Sequence, residues 1–310
     1  MNRRISTALV VLSVLIGIWG FLYGLSRRLE PDPLGQQVYP LPGSTRVLTD
    51  EPTDAGLRYD QLAQQVAPRS GTVIAVQWGD MGQKLIAAGA IDLDKFEARY
   101  DGLNEEQQAA LLGDSLAEIM FTPENIQFWT NVLWSLGLTQ ESKALTEGPM
   151  KQNEARTPLG SYASTGGWTL GTQPATALYN SVRLIDLTPE QDDLVYRVAE
   201  HIFRPCCGNH TAFPDCNHGM AVLGLLELMA SQGATEDELY QAALAFNAYA
   251  FSDSYIVLAA YFAAQDISWS EVSAREVLGP EYSSLQGAQR IAAAIGPIPG
   301  TPERGGSCGA

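Results

Sequence analysis

Residues 201–232 read HIFRPCCGNHTAFPDCNHGMAVLGLLELMASQ. The second half of this stretch decides the fold. From Cys216 to Gln232 the chain is apolar nearly all round, with Glu227 the one acid. A helix with no polar face has to be enclosed by other elements on every side. The spacing therefore predicts a central helix over 216–232, with the rest of the body built around it.

The first half raises the functional question. All three histidines of the chain and three of its four cysteines fall within 201–218, which is 18 of 310 residues. Pro205 ends the preceding helix and biases Arg204 away from helical backbone. Asp215 is a good helix cap, which puts Cys216, Asn217 and His218 in the first turn of the central helix. Thiols at a helix N-terminus ionise more readily, and thiolate is both the metal-binding and the nucleophilic form. Cys216 and Met220, four apart, share a helix face. Cys216 and His218 do not, so His218 can join a site only if the first turn is distorted or the loop folds over its side.

Three readings of the cluster stand side by side. In the first, a transition metal is held by Cys206, Cys207, Cys216 and one or both of His210 and His218. That set suits zinc or copper, with Met220 as a further sulfur ligand if the metal is copper. In the second, the four cysteines form structural disulfides, and a Cys206–Cys207 bridge is disfavoured by ring strain. The third is thiol redox chemistry, with Cys308 acting as a mobile arm on GGSCGA. Around the cluster, Asp215 is expected to cap its helix and Arg204 to be a solvated end-of-helix charge. Asn209-His210-Thr211 fits the glycosylation pattern but falls inside the cluster, and is read as chance. The spacing matches no haem, zinc-ribbon, zincin or thioredoxin-like motif, and it assigns no reaction.

Working outward, strong helix starts recur. Asn104 to Gln107, Thr188 to Gln191 and Thr235 to Glu238 each fit a capping box, and Pro189 presets a first turn. Helices are predicted near 81–88, 92–100, 104–120, 123–137, 189–203, 216–232, 235–251 and 254–264, with shorter ones near 270–277 and 282–294. Gly89, Gly137 and Gly233 are read as helix ends. Residues 72–78, TVIAVQW, have the β-branched content of a strand. Residues 147–187 are glycine-rich and polar, a long loop with a short helix after Pro174. Within it Ser164-Thr165-Gly166-Gly167 is read as a plain turn packed by Trp168 rather than a nucleophile site. The aromatics Phe246, Tyr249, Phe251, Tyr255, Tyr261 and Phe262 are expected to be helical core. The fold class is thus mainly α, with at most one or two short strands.

The N-terminus adds a membrane. Residues 5–25 carry no charge and lie between Arg3-Arg4 and Arg27-Arg28. That length crosses a bilayer and exceeds a cleaved signal core. The reading is a single-pass anchor over 1–28, a proline-rich spacer over 29–70 with a short helix near Tyr59–Val66, a helical body over 71–295 and a flexible tail over 296–310. The body is expected on the extracytoplasmic side. Net charge is −16, and four of the 19 basic residues lie in the first 28 positions, leaving 15 against 35 acids. A body that acidic excludes nucleic acid as a partner and favours cations. The expected partners are therefore a lipid bilayer and a metal ion.

Overall fold

The computed structural model describes residues 58–302. The expected membrane span, most of the spacer and Cys308 lie outside them. Among the described residues no helix is long and apolar enough to cross a membrane.

The body is mainly helical, with one small sheet. Its helices of seven residues or more are α1 (Tyr59–Val66), α2 (Met81–Ala87), α3 (Leu93–Tyr100), α4 (Glu105–Leu112), α5 (Ile126–Thr139), α6 (Pro189–Ala199), α7 (Asn217–Ser231), α8 (Glu236–Ala250), α9 (Ser252–Ala263) and α10 (Leu285–Ile295). The three capping boxes form as the sequence predicts, at the starts of α4, α6 and α8. Gly89 and Gly233 take left-handed backbone at helix ends, at φ +73° and +88°.

α7 is the hub. Every residue from Gly219 to Ala230 is buried, Glu227 included. Its closest partner is α5, and Gly137 explains how near the two helices come. A Cβ on Gly137 would stand 2.1 Å from the Met220 carbonyl oxygen, and one on Gly224 would stand 2.7 Å from the Gly137 nitrogen. Gly137 is therefore not the helix end that its position in the sequence suggested. It lies inside α5, where two backbones cross with no room for a side chain.

The strand at 72–78 appears as β1 (Thr72–Gly79), and it has a partner, β2 (Ser115–Phe121). This corrects the single helix predicted over 104–120. α4 stops at Leu112, Gly113 is extended at φ −89° and ψ 178°, and the chain turns back to pair antiparallel with β1, Thr72 opposite Phe121 and Ile74 opposite Ile119. The capping box at Asn104 marks the start of α4 but not its end, and along β2 Ile119 and Phe121 point inward while Leu116 and Met120 remain outside. The six aromatics of 246–262 do pack into the helical core or against it.

Residues 147–187 fold as short helical turns, including Ala175–Leu178 after Pro174. Ser164 and Thr165 are fully buried, the Trp134 ring nitrogen donates to the Ser164 carbonyl at 2.6 Å, and Trp134 and Trp168 stack edge to face at 4.9 Å. That is a packed turn, as the sequence suggests. Near the C-terminus Ile298 is buried and the Pro299 carbonyl accepts from the Tyr59 amide at 3.0 Å, which ties the start of the described chain to its end.

Candidate metal centre

α6 ends at Ala199, four residues before the predicted 203, because residues 202 and 203 are drawn into other bonds. The Phe203 amide donates to the Leu278 carbonyl at 2.8 Å, and the Ile202 carbonyl accepts from both the amide and the hydroxyl of Thr211. Phe203 and His210 form an antiparallel bridge, and the Ala212 amide returns to the Ala199 carbonyl. The loop is thus closed at its base, with Cys206 and Cys207 at its far end. From outside, the Leu285 amide, the first residue of α10, donates to the Cys207 carbonyl at 2.9 Å.

Arg204 organises the interior of this loop. Its side chain has no solvent exposure, and every branch of the guanidinium is engaged. Nε donates to Cys216 Sγ at 3.0 Å, Nη1 to the Asn209 carbonyl at 3.2 Å, and Nη2 to the Phe213 carbonyl at 3.2 Å and to Asp215 Oδ1 at 2.8 Å. Gly219 makes room for it: a Cβ there would sit 2.4 Å from the guanidinium carbon. Arg204 is therefore not the solvated charge read from the sequence.

Asp215 is not the helix cap either. The N-cap position of α7 belongs to Cys216, whose side chain makes no capping bond. The Asp215 carboxylate faces the loop and accepts from Arg204 on one oxygen and from Asn209 Nδ2 on the other, at 2.8 Å each. Its own carbonyl is held by the Ser164 amide at 3.1 Å. With its amide occupied by Asp215 and Thr211 fully buried, Asn209 stands in structural use, in keeping with a chance glycosylation match.

The sulfurs converge. Cys206 Sγ and Cys216 Sγ are 3.6 Å apart, and one ligand atom each of Cys206, Cys216 and His218 lies within 4.8 Å of the others. A second group, Cys207, Asp215 and Cys216, meets the same limit and shares Cys216 with the first. Both Asp215 oxygens are engaged by Arg204 and Asn209, and Cys207 meets the first group through Cys216 alone. Cys206, Cys207 and Cys216 are free thiols, Cys206 exposed and the other two half-buried. The His218 ring lies against Phe251, with centroids 4.5 Å apart, which fixes its plane.

Two histidines and a methionine stand apart. His210 packs edge to face on Phe203, and its buried Nδ1 is unpaired. Burial first, then the Arg204 charge, lowers its pKa to about 4. His201 is exposed and turns its Nδ1 to the Arg197 carbonyl. The Met220 side chain is fully buried in the hydrophobic core. The sequence offered both His210 and His218 as ligands and set a geometric condition on His218 alone. Cys216 stands just outside the helix as its extended N-cap, within reach of His218, while His210 is bridged to Phe203.

The electrostatics follow from this packing. Hydrogen bonds from Cys206 and then Cys207, reinforced by the Arg204 charge and His218, hold the Cys216 thiol well below its ordinary pKa against the opposing effect of burial. The same hydrogen bonds, from Cys207 and Cys216, raise Cys206, and burial adds to them. Cys207 is pushed up to about 11: its bond with Cys206 lowers it, but its bond with Cys216 and burial outweigh that. The Cys206 thiol lies 3.6 Å from the Cys216 sulfur, and of the three cysteines Cys216 is the one whose proton is most easily lost. Burial opposes the charge on Arg204, and Cys216, Cys207 and Asp215 together overcome it.

The sulfur spacing suits a tetrahedral ion. Zinc–sulfur bonds of about 2.3 Å imply a sulfur–sulfur edge of about 3.8 Å, close to the 3.6 Å between Cys206 and Cys216. Three thiols and one imidazole make up a closed structural zinc set. No protein family, curated protein or solved structure matches the chain.

Proposed function

We propose that this chain is a membrane-anchored, extracytoplasmic helical protein that binds one zinc ion through Cys206, Cys207, Cys216 and His218. The observation that carries the reading is the meeting of Cys206, Cys216 and His218 within 4.8 Å, with Cys207 against Cys216 on the neighbouring side. Zinc takes precedence over copper because an imidazole, His218, lies together with the Cys206 and Cys216 sulfurs. Copper(I) is satisfied by two or three sulfurs and has no need of the histidine. Met220, the extra ligand expected for copper, belongs to the core. The anchor and the side of the membrane rest on the uncharged residues 5–25 and their flanking arginines.

The loop is held independently of any ion, by Arg204 and by the bonds across its base. The metal would therefore lock the exposed tip against the hub helix rather than create the fold. The test is metal analysis of the purified full chain. About one equivalent of zinc is expected, lost in Cys216→Ser and His218→Ala and retained in His210→Ala. A chain that takes up neither zinc nor copper from buffer overturns the proposal, and copper binding indifferent to His218→Ala overturns the choice of metal.

A further inference from the structure

The same sulfurs are placed to do something other than hold an ion. From the 3.6 Å approach of an exposed Cys206 to a half-buried Cys216, we infer that these two residues form a reversible disulfide that expels the metal, making the site a redox-gated one. The inference rests on the zinc reading and adds its regulation.

Geometry selects the pair. A disulfide needs the sulfurs at about 2.05 Å, so Cys206 and Cys216 have roughly 1.5 Å to close. Cys206 sits on an exposed turn, where its side chain can rotate. Cys216 is the fixed partner, held by Arg204 Nε at 3.0 Å and by its place at the head of α7. The other two pairings are poorer. Cys206 with Cys207 requires a strained ring between adjacent residues. Cys207 is turned aside, its Sγ 3.9 Å from both the Asn209 carbonyl and Asp215 Oδ1.

Accessibility orders the chemistry. The oxidant is a small-molecule disulfide, a class suited to the oxidising compartment proposed for the body. With the ion bound, Cys206 is held as a thiolate, and it attacks one of the oxidant's sulfurs, forming a mixed disulfide and releasing one small thiolate. Cys216 then attacks Cys206 Sγ, forms the internal bridge and releases the second. The two protein sulfurs lose two electrons, the oxidant gains them, and the departing thiolates take up two protons from water. The metal leaves as an unchanged divalent ion, because Cys207 and His218 alone cannot complete its tetrahedral shell.

The bridge is not needed to close the loop. Residues 202–212 are already joined by the Thr211 and Ala212 bonds and spanned by Arg204. This separates a gate from a structural staple: reduction should leave the fold intact.

The test uses the full chain in detergent, reduced and loaded with zinc, then titrated with oxidised glutathione. Bound zinc should fall from about one equivalent to below about a tenth in step with disulfide formation. Peptide mapping should show Cys206 joined to Cys216 and Cys207 still open to alkylation, and a dithiol reductant should restore binding. Cys207→Ser should still form the bridge. A reduced chain that takes up no zinc overturns the metal reading and the coupling with it. A chain that holds zinc but resists oxidation, or that bridges through Cys207, overturns the gate alone.

Discussion

Replacing Arg204 with methionine tests the network that the candidate centre depends on. The guanidinium has no solvent exposure and donates four hydrogen bonds, to Cys216 Sγ, Asp215 and two carbonyls. Methionine fills much of the same space over Gly219 but supplies neither charge nor donors. Removing one partner of a buried pair costs about 3–5 kcal/mol, because the other charge is left without compensation. The Asp215 side chain is 22% exposed and keeps its bond from Asn209, so water can relieve part of that loss. The expected cost is therefore at the lower end, about 3 kcal/mol, a large share of the roughly 5–15 kcal/mol that holds most domains together. Urea unfolding of the full chain in detergent, followed by far-ultraviolet circular dichroism, should show a midpoint lower by about 1 M at unchanged slope. Zinc affinity should fall by about 10–100-fold, as is usual when a group orienting a ligand is lost. Asp215→Asn in the same chain should restore about 1 kcal/mol or more by removing the stranded charge. If Arg204→Met loses less than about 1 kcal/mol and binds zinc normally, the claim that this cation organises the site is wrong.

Other parts of the molecule make their own forecasts. Gly137→Ala must force α5 away from α7, since its Cβ would meet the Met220 carbonyl at 2.1 Å; a loss of about 2–3 kcal/mol is expected in thermal unfolding, and a near-neutral result would refute the close crossing. Burial, with a smaller push from Asp192, holds the Glu227 carboxyl well above its ordinary 4.5. The folded chain therefore keeps a proton that the unfolded chain releases above about 4.5, and stability should fall as pH rises, by at most about 1.4 kcal/mol per unit. Glu227→Gln should flatten that slope in unfolding measured from pH 5 to 8 and be the more stable form at pH 8. In proton NMR the His210 ring should titrate near 4, and a midpoint near 6.5 would contradict its placement against Phe203.

The hub helix was legible because one strong signal, a stretch over 216–232 apolar nearly all round, had no competing interpretation. Capping boxes were equally plain, since each needs only a polar residue and its partner three positions on. What escaped were features fixed by distant contacts. β2 carries residues that suit a helix, and it is a strand because β1 passes beside it with open hydrogen bonds. Gly137 reads as a helix stop in one dimension and as a crossing point in three. The cluster itself was visible from composition, but its internal order was not. The sequence offered both His210 and His218, and the Phe203–His210 bridge and the Phe251 contact separate them in space. Arg204 and Asp215 were assigned surface and capping roles because charged residues at helix ends usually have them. The one local hint was Gly219, a residue without a side chain in the first turn of a helix that had no other reason for it.

Burying an arginine beside a helix N-terminus puts two positive poles together, and the loop answers with Asp215 and the Cys216 sulfur. Cys216, the cysteine whose proton is most easily lost, and the Asp215 carboxylate both face the guanidinium. Under the proposed zinc reading the ion would displace protons from the sulfurs, while Asp215 stays paired with the buried Arg204. The framework of Arg204, Asp215 and Asn209 is complete without an ion, so under that reading the loop would keep its shape whether the metal is bound or lost.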